Sequence, residues 1–265
     1  MKKNQILNLI YHYDDFYKES NFKFADINQL GGSFKLEYNN AIYNFEYNNN
    51  LYFYKTIDGN DDCITIGINK ETKIISINNI TADNSYICFK NITQKKGTHL
   101  LLLAIKFAKK IKKEKYPNIN RIILTDNSKL HCSEQKDKLV KFSDLRQIIS
   151  GDTFYGKHGF IPIDEKDKIN YNRNKKILLK LLIKDFDFKK YIIKFLENNK
   201  DINPKSMDII LKYINENQNM KIGEFIEILS DNFDNNCNFI DFIINKIYKH
   251  NNLKSMFNIK YEMFI

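Results

Sequence analysis

The sequence predicts an α/β protein, with a mostly antiparallel central sheet flanked by helices and a small all-α bundle behind it. Three observations carry that expectation. Between residues 33 and 92, short runs of β-branched and aromatic residues alternate with polar ones and are separated by Asn-rich turns. From Thr98 the apolar period lengthens from two to that of a helix. Beyond Asp185 only helical periods remain.

Residues 1–30 read as a helix and a loop. Ile6, Leu9, Ile10, Tyr13 and Phe16 share one helical face, and "LGGS" stops the run. "SFKLEYNNAIYNFEYNN" holds two alternating runs around Asn-Asn, a hairpin signal. "LYFYKTI" is a further strand. "CITIGINKETKIISINNI" is a second hairpin around "NKET", and "SYICFKNI" is one strand more.

Thr98 is the expected N-cap of a helix that runs to Lys113. Its apolar face carries Leu100, Leu101, Ala104, Phe107, Ala108 and Ile111, and its opposite face Lys106, Lys109, Lys110 and Lys113. "RIILT" is a short buried strand and "DNSKLHCSEQKDK" a polar connection. "KFSDLRQIIS" is a helix with Ser143 as its cap and Gly151 as its stop, and "GFIPI" is a strand. Residues 164–175 read as polar linker and "KILLKLLI" as the last strand. Four helical segments follow, from "FKKYIIKFLENN" to "NFIDFIINKIYKHN", with Pro204 in a first turn. The expected division is a domain over 1–185 and a C-terminal helical domain over 186–265.

Composition narrows the function classes. The 265 residues carry a formal net charge of +10, which favours anionic partners or a solvated basic surface. No nucleic-acid motif accompanies the charge, so nucleic acid is not the expected partner. The apolar runs are too short to span a bilayer, and no membrane partner is expected. Cys63, Cys88, Cys132 and Cys237 lie far apart with no Cys-x-x-Cys pair. Free thiols, no metal and a cytoplasmic location are therefore expected.

Two stretches carry chemistry. In "ICFKNITQKKGTHLLLLAI" a strand runs through Gln94, Lys95, Lys96, Gly97, Thr98 and His99 into a helix. Unpaired amides and the dipole at a helix start attract anions, and glycine allows close approach. A diphosphate fits that pattern, and so does a plain strand-to-helix turn. In "TFYGKHGF", Tyr155 sits in a glycine-flanked turn ahead of a strand, where it serves either as core packing or as a positioned hydroxyl.

The two stretches together resemble the GCN5-related N-acetyltransferase (GNAT) family. "QKKGTH" is similar to its acyl-CoA-binding signature, Gln/Arg-x-x-Gly-x-Gly/Ala, and "FYGKHGF" to its aromatic-Tyr-x-x-x-Gly-Phe turn, in family order. The resemblance spans roughly residues 30–185 and implies a GNAT-like fold that binds acetyl-CoA as acyl donor. On it, the backbone of Ile87, Cys88 and Phe89 holds the pantetheine arm, and Gln94, Lys95, Lys96, Gly97, Thr98 and His99 cradle the diphosphate. Tyr155 is the general acid that protonates the departing thiolate. Asp126, or second His131, is the candidate base for the amine acceptor. His99 replaces the usual Gly or Ala, and Ile148 replaces an Asn common seven residues before the tyrosine. Those departures sustain an alternative, a catalytically inactive interaction module of the same fold. The C-terminal helices are a candidate surface for a protein partner.

Overall fold

The structure, a computed structural model, describes residues 33–38, 41–48, 53–58, 61–80, 96–132, 135–199, 204–231 and 233–265. The chain is mixed α/β and divides into two compact units, Met1–Asn120 and Arg121–Ile265. The predicted N-terminal helix, the strand at 85–92 and the residues Ile87, Cys88, Phe89, Gln94 and Lys95 lie outside the described residues.

In the first unit, β1 (Ser33–Tyr38), β2 (Ala41–Asn48), β3 (Phe53–Asp58), β4 (Asp61–Asn69) and β5 (Ile74–Ile80) form an antiparallel meander. Period-two patterning sets its faces: Leu36, Tyr38, Tyr43 and Phe45 are buried while Lys35, Glu37, Asn44 and Glu46 are exposed. Pairing of Tyr38 with Ala41 leaves two residues for the first connection, as the Asn-Asn pair predicts. Helix α1 (Lys96–Glu114) buries Leu100, Leu101, Leu103, Ala104, Phe107, Ala108 and Ile111, and Phe107 stacks on Phe45 at 3.9 Å. The helix starts two residues before Thr98, which belongs to its first turn and is not its cap.

In the second unit, β6 (Arg121–Thr125) pairs antiparallel with β10 (Lys260–Phe264), and β10 with β9 (Ile161–Pro162). The hairpin β7 (Lys129–Cys132) and β8 (Gln135–Lys141) stands apart from these strands. Helices α2 (Phe142–Ser150), α3 (Phe154–Lys157) and α4 (Glu165–Leu178) precede four more: α5 (Phe188–Asn198), α6 (Pro204–Glu216), α7 (Ile222–Ser230) and α8 (Phe233–His250). One hydrophobic core joins the last four to earlier residues. Cys132, Val140, Leu145 and Ile148 belong to the same cluster as Phe188, Phe195, Phe225 and Phe239.

Several expectations are corrected here. The stretch read as linker is α4, started by Asp164, whose carboxylate accepts from the amides of Lys166 and Asp167. "KILLKLLI" is not a strand: it ends α4 and leads into a short 3₁₀ turn, Ile183–Asp185. The polar connection after β6 contains the hairpin β7–β8. The C-terminal segment is not helical throughout, because "KYEMF" returns as β10, with Tyr261 fully buried. Ser143 lies within α2, fully buried, with no hydrogen-bond partner for its hydroxyl among the described residues; the N-cap is Lys141. The stop at Gly151 stands, at φ 78°.

The thiols are also corrected. Cys132 and Cys237 form a disulfide between the hairpin and α8, Cys63 is disulfide-bonded as well, and no described cysteine is free. No helix among the described residues is long and apolar enough to cross a membrane.

Candidate active site

The turn after α2 is built by three local devices. Gly151 takes the left-handed conformation that ends the helix, and Thr153 caps α3 by accepting from the amide of Gly156 at 3.1 Å. Gly159, at φ 87°, then releases the chain into β9. Tyr155 is held between them, its ring edge-on to Phe154 at 5.2 Å and to Phe160 at 6.1 Å. The ring of Tyr261 lies 6.2 Å away. Tyr171 braces the turn from α4: its hydroxyl donates to Asp152 at 2.5 Å, and Lys175 pairs with the same carboxylate at 2.8 Å.

The charge of a second predicted residue, Asp126, acts on Tyr155. Asp126 follows the last residue of β6 and is fully buried. Its Oδ1 accepts from the Ser128 amide at 3.1 Å and from the Ser128 hydroxyl, while Oδ2 has no hydrogen-bond partner among the described residues. Burial pushes its pKa from 3.8 up to about 6, against the two hydrogen bonds from Ser128 and with help from Asp144. Burial, and then the charge of Asp126, raises the pKa of the Tyr155 phenol, while the Ser128 side chain lowers it.

Two predicted residues twenty-nine positions apart therefore lie within electrostatic range of each other, and Ser128, which sequence reasoning missed, holds one of them. A signal existed, since Asp-x-Ser directly after a strand is the pattern of an Asx turn. The second base candidate, His131, has its backbone on β7 opposite Leu139. His158 follows Tyr155 in the same turn with both ring nitrogens buried and without hydrogen-bond partners among the described residues, and burial, then Lys157 and Arg146, lowers its pKa to about 4.

The first unit holds the other predicted set. Lys96, Gly97, Thr98 and His99 form the opening turn of α1, where main-chain amides lack helical acceptors. Glycine at the second position leaves that end open to an anion, so the residues present fit a diphosphate. The His99 side chain does not join them. Its Nε2 hydrogen-bonds the Tyr43 hydroxyl at 2.8 Å and its ring packs on Tyr38 at 4.6 Å. Burial lowers its pKa, so it is neutral near pH 7 and brings no charge to a phosphate. Ile148 is buried in the core of the second unit.

Among the described residues no group of three or more His, Cys, Asp or Glu is placed to hold a metal. Comparison with protein families, with curated proteins and with solved structures finds no match.

Proposed function

We propose that the protein is an N-acetyltransferase of GNAT-like fold that passes the acetyl group of acetyl-CoA to a primary amine by direct attack. The observation that carries this reading is the phenol of Tyr155, held by a capped turn within electrostatic range of a buried carboxyl just past β6. Such a phenol is suited to move a proton. The opening turn of α1 supports the donor side through main-chain amides.

In this mechanism Tyr155 gives its proton to the sulfur as the carbon–sulfur bond breaks. Asp126 has no exposed surface, so it does not touch the amine, and its charge acts on the Tyr155 phenol. The amine proton leaves to water. The cytoplasmic expectation loses the argument from free thiols, because disulfides persist in oxidising compartments.

The test has two measurements. Saturating acetyl-CoA should raise the unfolding free energy by about 3 kcal/mol. Tyr155→Phe should cut turnover by about 100-fold with coenzyme stabilisation unchanged. An unmoved melting curve would leave the inactive interaction module as the better account. That second reading draws on one observation, the His99 imidazole tied to the Tyr43 hydroxyl.

A further inference from the structure

We propose that a groove along the C-terminal half of α4 is a docking site for a partner protein, which it takes by an acidic extended segment with an apolar side chain at its centre. The inference is independent of the acetyltransferase reading, and neither Tyr155 nor Asp126 takes part in it.

Spacing in the sequence builds the groove. Arg173, Lys176, Ile177, Lys180 and Leu181 recur at three- and four-residue intervals, so they share one face of α4 and of the turn that continues it. With Asp185, from the 3₁₀ turn, they line an open groove of about 500 Å³. Its floor is apolar: Leu181 is buried and Ile177 half-buried. Its rim is cationic, since Arg173, Lys176 and Lys180 are all exposed. A basic face that only meets water is polar throughout, and this one is not.

The rim charges are uncommitted. Two other cations of α4 are spent within the unit, Lys175 on Asp152 at 2.8 Å and Lys168 on Glu165 at 3.5 Å. Arg173, Lys176 and Lys180 form no ion pair with any described residue. The acid of the groove, Asp185, instead accepts from the Leu182 amide at 2.9 Å. The helix dipole accounts for Lys176 alone of the three, because Arg173 precedes the last turn of α4 and Lys180 follows it. At helical rise the three cations fall within about 10 Å, where like charges repel and an acidic ligand relieves them.

Shape and charge together select the occupant. An open groove leaves a small molecule wet on one side, whereas ligand pockets enclose most of what they bind. Among the described residues no aromatic side chain lines the groove, so single-stranded nucleic acid finds no stacking platform there. The apolar residues are recessed and do not reach into a lipid layer. An extended peptide advances about 3.3 Å per residue, so about three residues cover the row of cations. The central apolar side chain fills the space over Ile177 and Leu181, and carboxylates on either side meet the rim. Arg173 can hold one of them through two parallel hydrogen bonds. Asp185 repels a carboxylate at its own end, which sets the direction of the segment.

The experiment titrates the full chain into a fluorescent peptide of glutamates flanking two leucines, read by anisotropy, and maps the bound peptide by backbone amide shifts in ¹⁵N spectra. Binding should saturate below about 1 mM, with shifts centred on residues 173–185. The variant Arg173→Glu, Lys176→Glu, Lys180→Glu should bind about 10-fold more weakly or worse. The same charge change at Lys109, Lys113 and Lys249 should leave affinity within about 2-fold. All six positions are exposed, so both variants keep the fold. Serines in place of the peptide's leucines should cost about 10-fold or more. Absence of saturable binding, equal losses in the two variants, or shifts centred elsewhere overturn the proposal. Tighter binding of a thymidine oligonucleotide, or of phosphatidylserine vesicles, through the same three cations overturns it in favour of that class. Acetyl transfer is not read, so each of these failures leaves the acetyltransferase reading where it was.

Discussion

Replacing Asp126 by asparagine should make the protein more stable as pH rises, relative to the wild type. The residue has no exposed surface, so its electrostatics are not screened by solvent. Its folded pKa is about 6, against an ordinary 3.8 that approximates the unfolded chain. Below 3.8 both states hold the proton and the carboxyl costs nothing. Between 3.8 and 6 the unfolded chain ionises while the folded one keeps its proton, so folding loses ground with each step in pH. Above 6 the loss is complete. A gap of roughly two pH units at about 1.4 kcal/mol each amounts to about 3 kcal/mol. Asparagine keeps an Oδ1 acceptor for Ser128 and carries no charge to bury. Its amide brings a fixed penalty of about 1 kcal/mol where Oδ2 had no partner, but that offset does not depend on pH. Urea denaturation of both proteins, from about pH 4 to about pH 8, gives the difference directly. It should swing by about 3 kcal/mol in favour of the variant, equivalent to about 6–12 °C in Tm. A difference that stays constant across the range would show that Asp126 titrates normally and that the carboxyl is not held protonated.

Three further outcomes test the architecture around this site. Gly156→Ala should destabilise by about 1–3 kcal/mol in thermal melts, because the added carbon overlaps the Tyr171 hydroxyl, which Asp152 fixes in place; an unchanged Tm would mean that the turn is loosely packed. Asn174→Ala should cost about 2 kcal/mol, since the buried Asn174 donates to Gln147 Oε1 at 3.0 Å, out of solvent, and to the Lys254 carbonyl at 2.7 Å; denaturant midpoints report it. Replacing both Cys132 and Cys237 by serine should cost about 4 kcal/mol, as their bridge closes a loop of 105 residues; melts that do not distinguish the variant from the wild type would exclude a bridge in solution.

Much of the secondary structure was legible because period and punctuation agreed. The Asn-Asn and "NKET" turns, the α1 stripe from Leu100 to Ile111, Gly151 and Pro204 all mark what the structure shows. Where the sequence misled, a tertiary effect overrode a local one. The α4 helix carries so many charges and asparagines that its apolar stripe is thin, only Tyr171, Asn174 and Leu178 being buried, and one of those is polar. The strand β10 follows a long helical tract and has only Tyr261 and Glu262 buried, too little alternation to read as a strand. The disulfide joins cysteines 105 positions apart, a pairing that spacing alone cannot supply. Tyr155 and Asp126 were legible as candidates, yet Ser128 was not, because its importance lies in what the chain brings to it.

The two buried aspartates of the second unit show why one is read as reactive and the other as structural. Asp144 spends both oxygens on the segment before β10: Oδ2 accepts from the Ser255 hydroxyl at 2.6 Å and Oδ1 from the Met256 amide at 2.9 Å. Removing it would strand those donors, which is reason enough for a carboxylate there. Asp126 holds the same segment with its backbone alone, donating to the Ile259 carbonyl at 2.9 Å and accepting from the Asn258 amide at 2.7 Å. Any residue could supply those bonds. Its side chain closes only a local turn onto Ser128 and leaves one oxygen unmatched in the interior. Fold stability alone favours a neutral residue at that position. A buried carboxyl with a raised pKa, whose charge acts on a phenol in a capped turn, is the pattern of a site tuned for proton chemistry.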